Sequence, residues 1–416
     1  MSSARVVVIL SLLLGIQPVT TDLYLPALPA LTEVFDAPAA LGQLTLSALL
    51  LAFGASQLVW GPLSDRFGRK PVLLWGLVAY TVAAVASTVA PSMTALVVWR
   101  TIQGAAMGAA VMCARAIVRD LYEPATGARV MSKALSGLGV IACVSAPLGG
   151  GLAALFGWRI TLAVLVVFGA ATLALVVWRF DETVRRPNPA ALRPAVLMAT
   201  WSAILRHPTF WSFSLLASAT YGGLFTFLAA SSFVFIQVLG VSTGVYGLLM
   251  FVMAASFLAG TVMCRRLLVR YGVGRTVAIG GAFSLAGGTL LGVFALAGVH
   301  TVWAIMGPVI LFMLGHGVHQ PCGQSGAVGP FPHAAGAASA LSGFMMMLVA
   351  FGMGAWLGAH MDGTVFPLTH GMWFWGVVLA AVAWGLVPRA LRSDAAAPAG
   401  VATATARPAA PRADES

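Results

Sequence analysis

Two charged residues lie inside long apolar runs and away from their basic ends: Asp22 in RVVVILSLLLGIQPVTTDLYLPALPAL and Arg100 in MTALVVWRTIQGAAMGAAVMCARAIV. A charge in hydrocarbon costs roughly 3 kcal/mol or more, so each marks a working position by default. An aspartate there can gain and lose a proton, whereas an arginine keeps its own under working conditions. The chemistry on offer is reversible protonation at Asp22, with Arg100 tuning that proton or touching a ligand. Burial and a neighbouring guanidinium act on such a proton in opposite senses. A structural ion pair, or an aspartate close enough to the surface to stay hydrated, is the competing reading. Pro18, Pro26 and Pro29 recur at three- or four-residue steps on the helical face of Asp22, where they would bend the helix and free backbone groups.

A second cluster is GPLSDRFGRKP at 61–71, with four charged residues in a chain that is 8% charged. Arg66 and Arg69 are placed to pair with Asp120 and Glu123 at the end of the fourth apolar run. Such pairs would tie one group of helices to another. Asp65 is suited to accept hydrogen bonds or to sit at a helix N-terminus. Gly61 allows close approach of a helix, and Pro62 with Gly68 allows a tight turn. Arg115 and Arg119 share a helical face at i,i+4. They read equally as charged anchors and as partners of the loop.

In GHGVHQPCG at 315–323, His316 and His319 are one turn apart, which suits two metal ligands. No third ligand follows by spacing, so no metal site is expected. Contacts from the imidazoles, Gln320 or Gln324 to a ligand, or hydrogen bonds between helices, are the alternatives. Cys113, Cys143, Cys264 and Cys322 have no CxxC pairing and read as small buried side chains. There is no nucleophile–base spacing and no phosphate loop, so an enzyme is not expected.

The elements that must position these residues follow from composition. The 416 residues are 60% hydrophobic, with a mean hydropathy of +0.94. A water-facing fold has no place for so much apolar surface, and lipid does. Spanning segments must satisfy their own backbone, so continuous apolar runs of about 20 residues read as helices. Breaks divide the chain into twelve: 5–26, 42–62, 71–90, 94–117, 131–153, 159–179, 209–230, 244–265, 275–297, 302–326, 335–359 and 368–388. The reading is an all-α membrane protein with twelve transmembrane helices in two six-helix bundles. Residues 1–180 form one bundle, 181–208 a central cytoplasmic loop, 209–390 the second bundle, and 391–416 a disordered cytoplasmic tail. The N-terminal run lacks a convincing cleavage site and is read as a span rather than a signal peptide.

With the N-terminus inside, 21 of the 23 basic residues fall on the inner side, leaving Arg100 and Arg159 toward the other. The net charge of +11 is thus spread over loops, which argues against nucleic-acid binding. Both termini are expected in the cytoplasm, with the chain in an inner membrane.

The 61–71 stretch, lying between the second and third of twelve spans, resembles the loop motif of the major facilitator superfamily. TDLYLPALPAL at 21–31 and WRTIQGAAMGAAVMCARAIVRDLY at 99–122 resemble the Bcr/CflA group of drug:proton antiporters, and FGWR at 156–159 and DET at 181–183 fit the superfamily. SAPLGGGL at 145–152 departs from the G-P-x-x-G-G ending that such antiporters often carry on the fifth span. RYGVGR at 270–275 is a degraded second copy of the loop, without its aspartate.

The resemblance implies a major facilitator fold that exports small amphipathic drug-like compounds in exchange for protons. The alternative is proton-coupled export or import of one metabolite. It implies that Gly61, Asp65, Arg66, Gly68 and Arg69, with Arg119 and Asp120, latch the bundles in an outward-open state. It also implies that Asp22 and Arg100 couple protons. Candidate cavity residues are Gln17, Tyr24, Gln103 and Met107 in the first half and Tyr221, Phe225, His316 and Gln320 in the second. Phe227 and Met345 to Met347 are further candidates. No cofactor is expected beyond the proton gradient. The partners are a small-molecule substrate, protons and lipid, and the chain is expected to act as a monomer.

Overall fold

The computed structural model describes residues 3–184 and 192–396, and all regular structure among them is helical. The first half comprises α1 (Ser3–Asp22), α2 (Leu28–Val34), α3 (Ala39–Phe67), α4 (Arg69–Thr88), α5 (Met93–Leu121), α6 (Pro124–Phe156) and α7 (Trp158–Arg179). The second begins with α8 (Pro194–Leu205), followed by α9 (Pro208–Ser232), α10 (Thr243–Leu296), α11 (Val302–Val328), α12 (Ala335–His360), α13 (Phe366–Ala381) and α14 (Val387–Ala396).

Eleven helical segments are long and apolar enough to cross a membrane, and one of them is the 54-residue α10. At about 1.5 Å per residue it would run about 80 Å, far beyond a hydrocarbon core of about 30 Å. Gly272 breaks it, with φ 71° and ψ 177°. The pieces 243–271 and 273–296 are therefore two spans, which makes twelve among the described residues. Val82, Val167 and Phe251 are among many large apolar side chains exposed on the outside of the helices, where lipid would cover them.

Several boundaries differ from the sequence reading. Pro62 lies inside α3 rather than in a turn. The turn between α3 and α4 is made by Gly68 alone, at φ 100°, a conformation that a side chain disfavours. α5 continues to Leu121, beyond the expected end at 117. The central segment 181–208 contains α8, whose proline sits at the first turn where its missing N–H costs nothing. The expected tail begins too early, because helix continues through Ala396. Residues 397–416 lie outside the described residues, as do Arg185 and Arg186.

The two halves meet along α3 against α12 and along α6 against α10. At the end away from the 61–71 turn this contact is backbone to backbone. A Cβ at Gly150 would lie 2.7 Å from the Thr243 carbonyl, one at Gly247 would lie 2.9 Å from the Ala146 carbonyl, and one at Gly358 would lie 3.1 Å from Ala40 Cα. Gln43 Nε2 also donates to the Ala229 carbonyl at 2.6 Å. The far end is thus sealed. SAPLGGGL supplies the sealing surface, since small residues let helices approach. At the basic end, which carries the 61–71 turn, the halves diverge.

Candidate functional site

The charged turn is built around Arg69, only 4% exposed. Its Nη1 donates to Asp65 Oδ1 at 2.7 Å and to Ser64 Oγ at 2.6 Å, and its Nε donates to Asp120 Oδ2 at 2.8 Å. Glu182 closes the cluster by accepting the backbone N–H groups of Arg69 and Lys70, both at 2.9 Å. A carboxylate there caps the N-terminus of α4 and faces the positive end of its dipole. Burial pushes the Glu182 carboxyl up, but bonds from the N–H groups of Val184, Arg69, Lys70 and Thr183 outweigh it and hold the group below its ordinary value. A Cβ at Gly68 would come within 2.5 Å of Glu182 Oε2, so the glycine is needed for space as well as for φ.

Every member of this cluster belongs to the first half, so in this state, open at the basic end, it holds no residue of the second half. The end of α5 lies beside the start of α4, so Asp120 meets Arg69 without any contribution from the second half. Arg66 is exposed and lies over the ring of its neighbour Phe67, 5.3 Å from the centroid. Neither it nor the exposed Glu123 joins an ion pair among the described residues. Gly61 faces only the flexible end of Met112, at 3.4 Å. A hydrogen bond that does cross between halves here runs from Arg115 Nη1 to Ser339 Oγ, 2.8 Å. Arg119 is exposed beside Gly336, 3.7 Å from where a Cβ would sit.

Asp22 and Arg100 do not share a cavity. Pro26 has no N–H to give the Asp22 carbonyl, and α1 ends at Asp22, followed by a tight turn over Leu25–Ala27. Arg100 is fully buried on the inner side of the first bundle. Its Nη2 donates to the Thr20 carbonyl at 2.8 Å and its Nη1 to Gln103 Oε1 at 2.8 Å. Its guanidinium lies 4.4 Å from the centre of the Tyr24 ring, a cation–π contact. Asp22 accepts from Thr21 Oγ1 at 2.8 Å and points the other way, within electrostatic reach of Cys143, Tyr221 and Tyr246. No carboxylate pairs with Arg100 among the described residues. Thr20, which Arg100 holds, and Asp22 lie two positions apart on α1: Thr20 turns toward Tyr80, with its hydroxyl 2.7 Å from the Tyr80 hydroxyl, while Asp22 turns toward the other half.

Between the bundles a vestibule of about 450 Å³ opens at the basic end, lined by α3, α5, α8 and the start of α12. It leads to a deeper space of about 80 Å³ lined by Gln17, Tyr221 and Gln320 together with Gln57, Arg115, Met346 and Met347. Gln17 Nε2 donates to the Tyr221 hydroxyl at 3.3 Å, joining the halves at the inner limit of this space.

Three of the eight cavity candidates therefore line it: Gln17, Tyr221 and Gln320. Tyr24 and Gln103 serve Arg100 instead. Met107 and Phe225 are fully buried in the packed core, as is Phe227. His316 bonds Thr220 Oγ1 through Nδ1 at 2.9 Å, and His319 Nε2 donates to the Val277 carbonyl at 3.1 Å. They are interhelical bonds, and no group of three possible metal ligands occurs among the described residues. Met346 and Met347 line the space and Met345 does not. All four cysteines are free; Cys264 and Cys322 touch, Sγ to Sγ 3.7 Å.

Sequence reasoning did not place Gln57, Arg115 or Ser339 at the cavity, nor Glu182 in the charged cluster. The signal for Arg115 was present: it stands six positions before the end of α5, about 9 Å inside the helix. Placing the span's end at 117 hid that depth.

Comparisons with known proteins agree with this architecture. The chain is 28% identical to multidrug resistance protein D of Escherichia coli over 342 residues, 82% of this chain and 85% of that one. It is 29% identical to a chloramphenicol resistance protein of Pseudomonas aeruginosa over 324 residues, covering 77% and 75%. A bicyclomycin resistance protein homolog of Haemophilus influenzae is 26% identical over 384 residues, covering 92% and 96%. Among solved structures, a D-xylose–proton symporter superposes with a TM-score of 0.71 at 18% identity, covering 92% of this chain and 98% of that one. The inward-open xylose transporter of Escherichia coli gives 0.72 at 16%, covering 92% and 96%. At such identities these two likenesses concern the fold alone. The family model for the Major Facilitator Superfamily matches residues 10–355. With twelve crossings in two halves around a cavity, and that match over most of its length, the chain belongs to the Major Facilitator Superfamily.

Proposed function

We propose that this protein exports small amphipathic, drug-like compounds in exchange for protons, by alternating access between its two bundles. The observation that carries the reading is the path itself. It is sealed at the far end by glycine contacts and opens at the basic end onto a space between the halves. Positive charge on short loops favours the cytoplasmic side, so in this reading the basic end faces the cytoplasm of a bacterial inner membrane. Cargo enters there. The names of the relatives, which concern resistance to chloramphenicol and bicyclomycin, support a drug-like cargo. Met346, Met347 and Phe53 beside glutamine amides suit a range of partly apolar molecules.

In this mechanism Asp22 carries the proton. It sits where α1 breaks, on the side facing Tyr221 and Tyr246 of the second half. Arg100 acts as a positioning residue. By holding the Thr20 carbonyl it fixes the broken end of α1 that presents Asp22. The proton gradient is the energy source, no cofactor takes part, and one chain suffices. The Arg69 cluster keeps α3, α4, α5 and the segment after α7 together as one rigid body while the halves move.

The test is growth inhibition in an efflux-deficient bacterial host, with and without expression, over chloramphenicol and a chemically varied panel. Expression should raise the inhibitory concentration of several unrelated compounds. Protection against none of them, with protein present in the membrane, would refute the reading. A shift for a single metabolite analogue alone would point to a dedicated metabolite transporter.

A further inference from the structure

The vestibule and the deeper space share three lining residues: Gln57, Arg115 and Ser339. They form a neck, and the Arg115–Ser339 hydrogen bond at 2.8 Å spans it from one half to the other. Among the described residues Arg115 is the one charged residue lining the deeper space, and no carboxylate lines it. The vestibule has Asp65, but that carboxylate is held by Arg69 at 2.7 Å. No acid pairs with Arg115 or Arg119 among the described residues. Two acceptors beside the neck also lack partners, Gln320 Oε1 and Ser342 Oγ. Asp22 reaches Tyr221 from the far-end side but borders neither space.

A cation with no counter-charge, half-buried in a mostly apolar passage, favours a ligand group that can accept its N–H bonds. Arginine presents several donors in one plane, which suits carboxylate, nitro or carbonyl oxygens. It disfavours a positive ligand at the same point, because like charges in a low-dielectric passage repel strongly.

Resting on the proposed transport reading, we infer that Arg115 is the specificity-determining residue of the cavity. The cargo presents to it a neutral acceptor-rich or singly anionic group, and permanent lipophilic cations are excluded. Entry requires the Arg115–Ser339 bond to open, with the cargo's oxygen taking the place of the Ser339 hydroxyl.

The experiment is equilibrium binding to the purified full-length protein, by quenching of its tryptophan fluorescence. Three probes of different charge are used: chloramphenicol as the neutral acceptor-rich one, naphthalene-2-carboxylate as the monoanion and tetraphenylphosphonium as the cation. The wild type should bind chloramphenicol, the carboxylate or both at least about tenfold more tightly than tetraphenylphosphonium. Arg115→Gln should raise the Kd of the preferred probe about tenfold or more, the loss expected for a charged hydrogen bond. Arg115→Lys should recover part of the carboxylate affinity and less of the chloramphenicol affinity, since lysine keeps the charge and loses the fork. Ser339→Ala removes the neck bond and keeps the cation, so the preference among probes should survive it even where Arg115→Gln is poorly folded. Tetraphenylphosphonium bound as tightly as the other two by the wild type would overturn the inference, as would binding of none. So would an unchanged Kd in folded Arg115→Gln. The transport reading fails differently: no compound of the growth panel would be exported at all.

Discussion

Gly150→Ala perturbs the seal at the far end and nothing inside either bundle. The new Cβ would lie 2.7 Å from the Thr243 carbonyl oxygen and 3.2 Å from Gly247 Cα, both on α10 across the interface. A carbon–oxygen contact of this type rests near about 3.3 Å, so α6 and α10 must part by about 0.6 Å. Overpacking of this size costs about 1–3 kcal/mol. The cost falls on the far-sealed state alone, because the halves separate here when the far end opens. At about 1.36 kcal/mol per decade, the ratio of far-sealed to far-open protein should drop about 5- to 160-fold. Spin labels at Val89 and Val299, exposed positions of the two halves, would report the distance across the far end in a background lacking the native cysteines. The variant should gain a longer-distance population. Gly104→Ala is the control: its Cβ would run into the Leu49 carbonyl within the first half, where both states keep the contact. It should lower thermal stability and leave the distances alone. A Gly150→Ala protein with the wild-type distance distribution and unchanged stability would refute the reasoning.

The Arg69 cluster makes an ordering testable. Asp120, 16% exposed, and Asp65, 43% exposed, both hold a guanidinium that is 4% exposed. Asp120→Asn should cost about 1.5–3 kcal/mol, as for a hydrogen bond to a charged group, and Asp65→Asn about 1 kcal/mol or less; thermal melts in one detergent giving the reverse order would contradict the geometry. Glu182 links the cluster to pH. Its pKa is held below the ordinary 4.5 on folding, so its contribution is full above that value and is lost as pH falls through the folded one. Glu182→Gln should therefore flatten the fall in melting temperature with pH below about 4.5, and an unaltered acid limb would show that the cap carries no such linkage.

Spans were legible in this sequence because lipid demands continuous apolar runs, and even the fused α10 could be divided by reading RYGVGR as a loop. A disturbance of the first span was legible from its prolines, but the helix ends at Asp22, four residues before the expected boundary at 26. Partnerships were harder. Arg69 and Asp120 were matched correctly because both fall at the same end of adjacent spans, but which half they served depended on packing that charge alone does not encode. Asp22 and Arg100 share a depth, which sequence reports. They face opposite sides of α1, which a two-residue offset at a helix break decides. Tyr24, Gln103, Met107, Phe225 and His316 had the right chemistry for a cavity. They were drawn into the bundle interiors by a buried guanidinium, close packing and an interhelical bond to Thr220.

The exchange of a proton for cargo at Asp22 is most directly tested in sealed proteoliposomes under an imposed pH gradient, with chloramphenicol as cargo and an internal pH dye. Asparagine at this position can still accept from Thr21 Oγ1, as Asp22 does at 2.8 Å, so Asp22→Asn removes the titrating group with little change in shape. The wild type should move protons when cargo is added, and Asp22→Asn, folded and bound to cargo, should move none. Full cargo-coupled proton movement by that variant would contradict the account.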